Sequence, residues 1–85
     1  MALIVEFDGE WDPKSKREIE DAVRKCIGAP PEDEKWTVSI AAGFSQSYCE
    51  VQVMTPNQTR TRLFFEDPAR LANAITDWIK SYPLR

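Results

Sequence analysis

A chain of 85 residues, 42% of them apolar and 29% charged, has room for one domain with one modest core, burying roughly 60–65% of the surface its unfolded form exposes. The absence of histidine excludes imidazole catalysis and most zinc sites. No apolar run approaches the ~18–20 residues of a membrane span, and a net charge of −3 argues against a general nucleic-acid binder, which shows a basic footprint.

Ala2 to Phe7 reads as a first strand, with Leu3, Val5 and Phe7 on one side and Ile4 and Glu6 on the other. The apolar start, Ala2 to Val5, is too short for a signal-peptide core. It has no basic flank and runs straight into Glu6-Phe7-Asp8, so a cytoplasmic location is expected. Asp8-Gly9-Glu10 makes a turn. Asp12-Pro13 then opens a helix, because Asp is a good N-cap and proline is favoured at the first helical position. Ile19, Ala22, Val23, Cys26 and Ile27 recur at three- and four-residue spacing and form one apolar stripe. Gly28, followed by Pro30-Pro31, stops the helix. Residues 28–35 make a polar loop that holds the acidic run Glu32-Asp33-Glu34.

The stretch from Trp36 to Glu66 has a two-residue period and predicts a three-strand meander. Trp36, Val38, Ile40 and Ala42 alternate with Thr37, Ser39 and Ala41. After a turn at Ser45-Gln46, Cys49, Val51 and Val53 alternate with Tyr48, Glu50, Gln52 and Met54. After Pro56-Asn57-Gln58, Thr61, Leu63 and Phe65 alternate with Arg60, Arg62 and Phe64. Asp67-Pro68 repeats the helix-opening dipeptide, and Leu71, Ala74, Ile75, Trp78, Ile79 and Tyr82 form a second stripe that Pro83 ends. Trp78, mid-stripe, is expected to be among the most buried residues, against Val51 and Leu63.

The order β-α-β-β-β-α predicts a single α+β domain over residues 1–85. A strand–helix–strand crossover is nearly always right-handed and leaves its two strands parallel. The meander has two free edges, so the first strand lies beside either the second or the fourth, and the second is favoured. The expected architecture is a four-stranded mixed sheet of order 1-2-3-4 with both helices packed on one face, since each helix has one stripe to bury. The fourth strand is then an edge guarded by Thr59-Arg60-Thr61-Arg62. The first strand has no such guard before Glu6, and cover by self-association or by a following loop is expected.

Chemistry-bearing residues form no catalytic set. Ser39, Ser45, Ser47 and Cys49 have no base to activate them, and Cys26 and Cys49 lie on apolar sides, away from any metal-ligand spacing. Glu6, Asp8, Glu10 and Asp12 lack the frame of a calcium loop and read as a solvated turn. Lys14, Lys16, Arg17, Arg24 and Lys25 lie off the stripe of the first helix. Glu18, Glu20 and Asp21 are interleaved with them at pairing distance, which makes a mixed solvated face. No enzyme activity, cofactor or metal is expected.

The outer face of the sheet is the more informative surface. Pairing Val53 with Thr61, Val51 with Leu63 and Cys49 with Phe65 buries the apolar set of the last strand and leaves a three-residue loop, Pro56-Asn57-Gln58. That register puts Gln52 opposite Arg62, Glu50 opposite Phe64 and Met54 opposite Arg60 on the outside, beside Tyr48. Ile4, Thr37, Ser39 and Ala41 complete the face. Aromatics, Met and Arg are enriched in interface cores. Tyr48, Glu50, Gln52, Met54, Arg60, Arg62 and Phe64 are therefore the candidate partner site, with Phe64, Tyr48 and Arg62 as anchors. The partner expected is another protein or a second copy of this chain.

From the first helix onward the order α-β-β-β-α resembles that of double-stranded-RNA-binding domains, and with the leading strand it is similar to the ribosome-hibernation factors that share that core. The likeness spans nearly the whole chain as topology. Those domains carry lysines at the entry to their last helix, where this chain has Asp67-Pro68-Ala69-Arg70, and their histidine-containing strand loop has no counterpart. The resemblance implies an alternative function: a nucleic-acid- or ribosome-associated module using the basic face of the first helix.

Overall fold

The computed structural model describes residues 2–30, 32–42 and 48–81. They form β1 (Ala2–Asp8), α1 (Pro13–Ile27), β2 (Lys35–Ala42), β3 (Cys49–Met54), β4 (Thr59–Phe64) and α2 (Pro68–Ser81). The element order and the α+β class are those the sequence predicts. The expected turn at Ser45-Gln46 and the helix end at Tyr82-Pro83 lie outside the described residues.

Local chemistry accounts for the first helix. Asp12 is its N-cap, in extended conformation, and its carboxylate accepts the Ser15 amide at 3.1 Å. Pro13 follows at the position where a missing N–H costs nothing. At the other end the Gly28 amide donates to the Arg24 carbonyl at 2.9 Å, with φ +75° at Gly28. That positive φ is one glycine adopts without strain. Ile19 and Val23 face inward and are buried.

The four strands make one mixed sheet of order β1-β2-β3-β4, with β1 parallel to β2 and the other two pairs antiparallel. Trp36, Val38 and Ile40 from β2, Cys49, Val51 and Val53 from β3 and Phe64 from β4 are buried on one side. Leu71, Ile75, Trp78 and Ile79 from α2 join Ile19 and Val23 in covering that side. Both helices therefore sit on one face, and among the described residues the other face is left uncovered. No helix among them is long and apolar enough to cross a membrane.

The fourth strand differs from expectation. The observed register pairs Cys49 with Phe64, Val51 with Arg62 and Val53 with Arg60, one residue away from the predicted pairing. Because the side-chain period of a strand is two, that one residue turns β4 over. Phe64, Arg62 and Arg60 face the helices, while Thr59, Thr61 and Leu63 face out. Leu63 is 45% exposed and Phe65 72%, against 6% for Phe64.

The turn supplies the reason. It takes four residues, Thr55 to Gln58, rather than three. The Thr55 amide donates to the Gln58 carbonyl at 2.8 Å. The Thr55 hydroxyl oxygen accepts the amides of Asn57 and Gln58 at 3.3 and 3.1 Å. The threonine thus closes the loop with its own side chain, as such residues do in turns.

The inward arginines are accommodated because β4 is an edge strand. Arg60 lies over the Trp78 ring at 4.9 Å, Trp78 meets Phe64 edge-on at 5.6 Å, and Arg62 lies over Phe64 at 5.5 Å. Long arginine stems cover apolar surface and the aromatic faces attract the cations. The Arg60 head is drawn in far enough that its Nη2 is buried. Trp78 is buried as expected, at 8% exposure, but its neighbours are Phe64 and Arg60 rather than Leu63.

The opposite edge, β1, is held from α1. Arg24, paired with Glu20 at 3.0 Å, donates from Nη1 to the Leu3 carbonyl at 3.0 Å. This contact from a helix side chain reaches the strand for which cover by self-association or by a following loop is expected.

Candidate functional site

The uncovered face is built rung by rung from the strand register. One rung runs Asp8, Ala41, Glu50, Leu63. The next runs Glu6, Ser39, Gln52, Thr61, and a third Ile4, Thr37, Met54, Thr59. Just beyond the first rung, Tyr48 enters β3 and Phe65 leaves β4, and their rings stand 6.1 Å apart at 43°. Thr37, Ser39 and Ala41 of β2 are small and half-buried on this face, so the sheet is shallow along its middle.

Four of the seven predicted site residues, Tyr48, Glu50, Gln52 and Met54, lie together on this face. Phe64, Arg60 and Arg62 do not. As the partner-facing anchors they are corrected to the helix-facing side, where Phe64 is core and both arginines stack on rings. Their places are taken by Leu63, Phe65 and Thr61, which the sequence reading had assigned to the interior, and by Thr59. The signal that points to them is Thr55 ahead of Pro56-Asn57. A hydroxyl side chain at that position closes a four-residue turn, the loop length that goes with the shifted register.

The register also sets the charge of the face. With both arginines on the other side, the described charged residues of the open side are Glu6, Asp8 and Glu50 at the Tyr48–Phe65 end and Lys35 at the far end. Of the acidic residues near the first turn, Asp12 serves as a helix cap. Among the described residues no three acidic or cysteine side chains come together to hold a metal ion.

At the end of the sheet where both helices begin, a cleft of about 160 Å³ opens between Trp11, Tyr48, Cys49 and Leu71, with Glu10, Asp12 and Glu66 at its margins. The Trp11 indole is oriented by its N–H, which donates to the Asp8 carbonyl at 2.8 Å, and by an edge-on contact with Phe7 at 5.4 Å. Cys49, 4% exposed, has its thiol pushed up to about 11 by burial and then by the neighbouring Glu50 charge. It is a protonated thiol at neutral pH and a poor nucleophile.

No family model and no curated protein matches the chain. Among solved structures it is similar to the crystal structure of the N-terminal domain of Protein Y from Thermus thermophilus. The TM-score is 0.56 and the identity 11%, over 98% of this chain and 100% of that one. At that identity the likeness is one of fold.

Proposed function

We propose that this chain is a small non-enzymatic module that works by docking another protein on the open face of its sheet. The observation that carries the reading is the position of the exposed apolar side chains. Phe65, at 72% exposure, and Leu63, at 45%, stand on the uncovered side beside Tyr48, with Met54 and Ile4 two rungs away. Single exposed apolars are ordinary, but adjoining ones such as Tyr48, Leu63 and Phe65 mark an interface. Aromatics and Met are the types that interface cores favour. The protonated Cys49 thiol and the lack of histidine support the non-enzymatic part.

The alternative, a nucleic-acid- or ribosome-associated module, draws on the topology and on Lys14, Arg17 and Lys25, which stand exposed on α1. Affinity capture from the native lysate, with and without nuclease, separates the two. Wild type is compared with Phe65→Asp and with the charge reversal Lys14→Glu/Arg17→Glu. The expected result is a captured protein that survives nuclease, survives the α1 reversal and is lost with Phe65→Asp. Losing an anchor of this kind weakens binding by about 2 kcal/mol or more. Capture that nuclease abolishes and Phe65→Asp does not would overturn the proposal in favour of the alternative.

A further inference from the structure

Resting on that docking reading, we infer that the partner is basic: a protein segment that presents arginine or lysine side chains between apolar ones. The argument starts from the turn at Thr55–Gln58. By moving β4 one residue, it carries Arg60 and Arg62 to the helix side, where each lies over a ring. Had they stayed outside, the face would hold cations and carboxylates in near balance. As it stands, three carboxylates, Glu6, Asp8 and Glu50, occupy two adjacent rungs, all exposed. None of the three makes an ion pair among the described residues, and Asp8 accepts the neighbouring Gly9 amide at 3.0 Å through one oxygen.

Geometry makes these charges a recognition surface. Glu6 and Asp8 lie two residues apart on β1, about 7 Å, and Glu50 lies two strands away, about 10 Å. Ala41 and Ser39 between them leave the sheet low enough for a side chain to lie across it. Next to Glu50 stand the faces of Tyr48 and Phe65. A guanidinium pairs with carboxylates in fork geometry and also stacks on aromatic faces. An arginine flanked by apolar residues therefore satisfies both halves of this surface. An acidic partner meets like charge at each of the three positions, which costs specificity and affinity.

The test uses two synthetic peptides of one length, built from alternating arginine, leucine and threonine or from glutamate, leucine and threonine. Each is titrated into the isotopically labelled protein and followed by amide chemical shifts. The expected result is that the arginine peptide shifts the amides of residues 48–52 and 61–65 and the glutamate peptide does not. Asp8→Lys/Glu50→Lys should then weaken the arginine peptide by about tenfold or more while leaving the melting curve near wild type. Equal binding of both peptides, lost on Phe65→Ala, would keep the docking face and overturn the basic partner. A dimer in sedimentation that Phe65→Ala dissolves would also overturn it, the face being taken by a second acidic copy. Shifts confined to α1, or no shifts with either peptide, would overturn it as well.

Discussion

Phe64 and Phe65 are adjacent in the chain and face opposite environments, 6% and 72% exposed. Phe64→Asp removes a buried ring that packs edge-on against Trp78 and leaves a small polar side chain in its place. It should cost about 3 kcal/mol or more and unfold much of the population, even with Arg62 near enough to meet the new carboxylate. Phe65→Asp should move the thermal midpoint by little. Paired melts by circular dichroism check the contrast, and equal effects would mean that β4 faces the other way. Cys49 gives a pH test. Its thiol ionises near 9.0 when unfolded and at about 11 when folded. Between those values the unfolded chain has lost more protons, so stability is full below about 9 and falls as pH climbs toward about 11. Urea midpoints across that range should decline in wild type and decline less in Cys49→Ala.

At the scale of elements, α1 and the β3–β4 turn each depend on one polar side chain. Asp12→Ala removes the acceptor for the Ser15 amide and should cost about 1 kcal/mol, with the loss read from denaturant midpoints. Thr55→Ala strands two turn amides that its hydroxyl holds. It should cost a similar amount, about 1 kcal/mol, and speed amide exchange at Asn57 and Gln58 before it does so elsewhere. The β1 edge depends on α1 through Arg24 and the Leu3 carbonyl. With Arg24→Ala, exchange in β1 should rise toward that of the Glu32–Glu34 loop while β3, central in the sheet, stays protected.

The whole molecule stands on a core shared by both helices and one sheet face. Trp78 is its largest shared side chain, touching Phe64 and Arg60 across the seam between α2 and β4. Truncating a buried Trp typically costs ~3–5 kcal/mol, a large share of the ~5–15 available to a small domain. Trp78→Ala should therefore unfold the protein as one unit, with coincident loss of far- and near-ultraviolet dichroism. Survival of a midpoint within a degree or two of wild type would place Trp78 outside the core.

Much of this architecture was legible in the residues themselves. Two Asp-Pro starts, two stripes at helical spacing and the alternation from Trp36 to Met54 allow only one assignment, because one side of each element is plainly apolar. Element order and the handedness of the crossover left two places for the first strand, beside the second or the fourth, and the folded chain puts it beside the second. The face carrying Tyr48, Glu50, Gln52 and Met54 was readable for the same reason. The run Arg60-Thr61-Arg62-Leu63-Phe64-Phe65 is different, because each of its sides holds a phenylalanine and hydropathy favours the side with Thr61, Leu63 and Phe65, which is the one that faces out. Hydropathy counts Arg60 and Arg62 as outward residues, although their stems and cations suit an edge position over Trp78 and Phe64. Only the folded chain decided the matter, by adding Thr55 to the turn and setting the ring of α2 above the strand. One residue of register then settled which phenylalanine is core and left the open face acidic, because a strand's side chains alternate and cannot turn over singly.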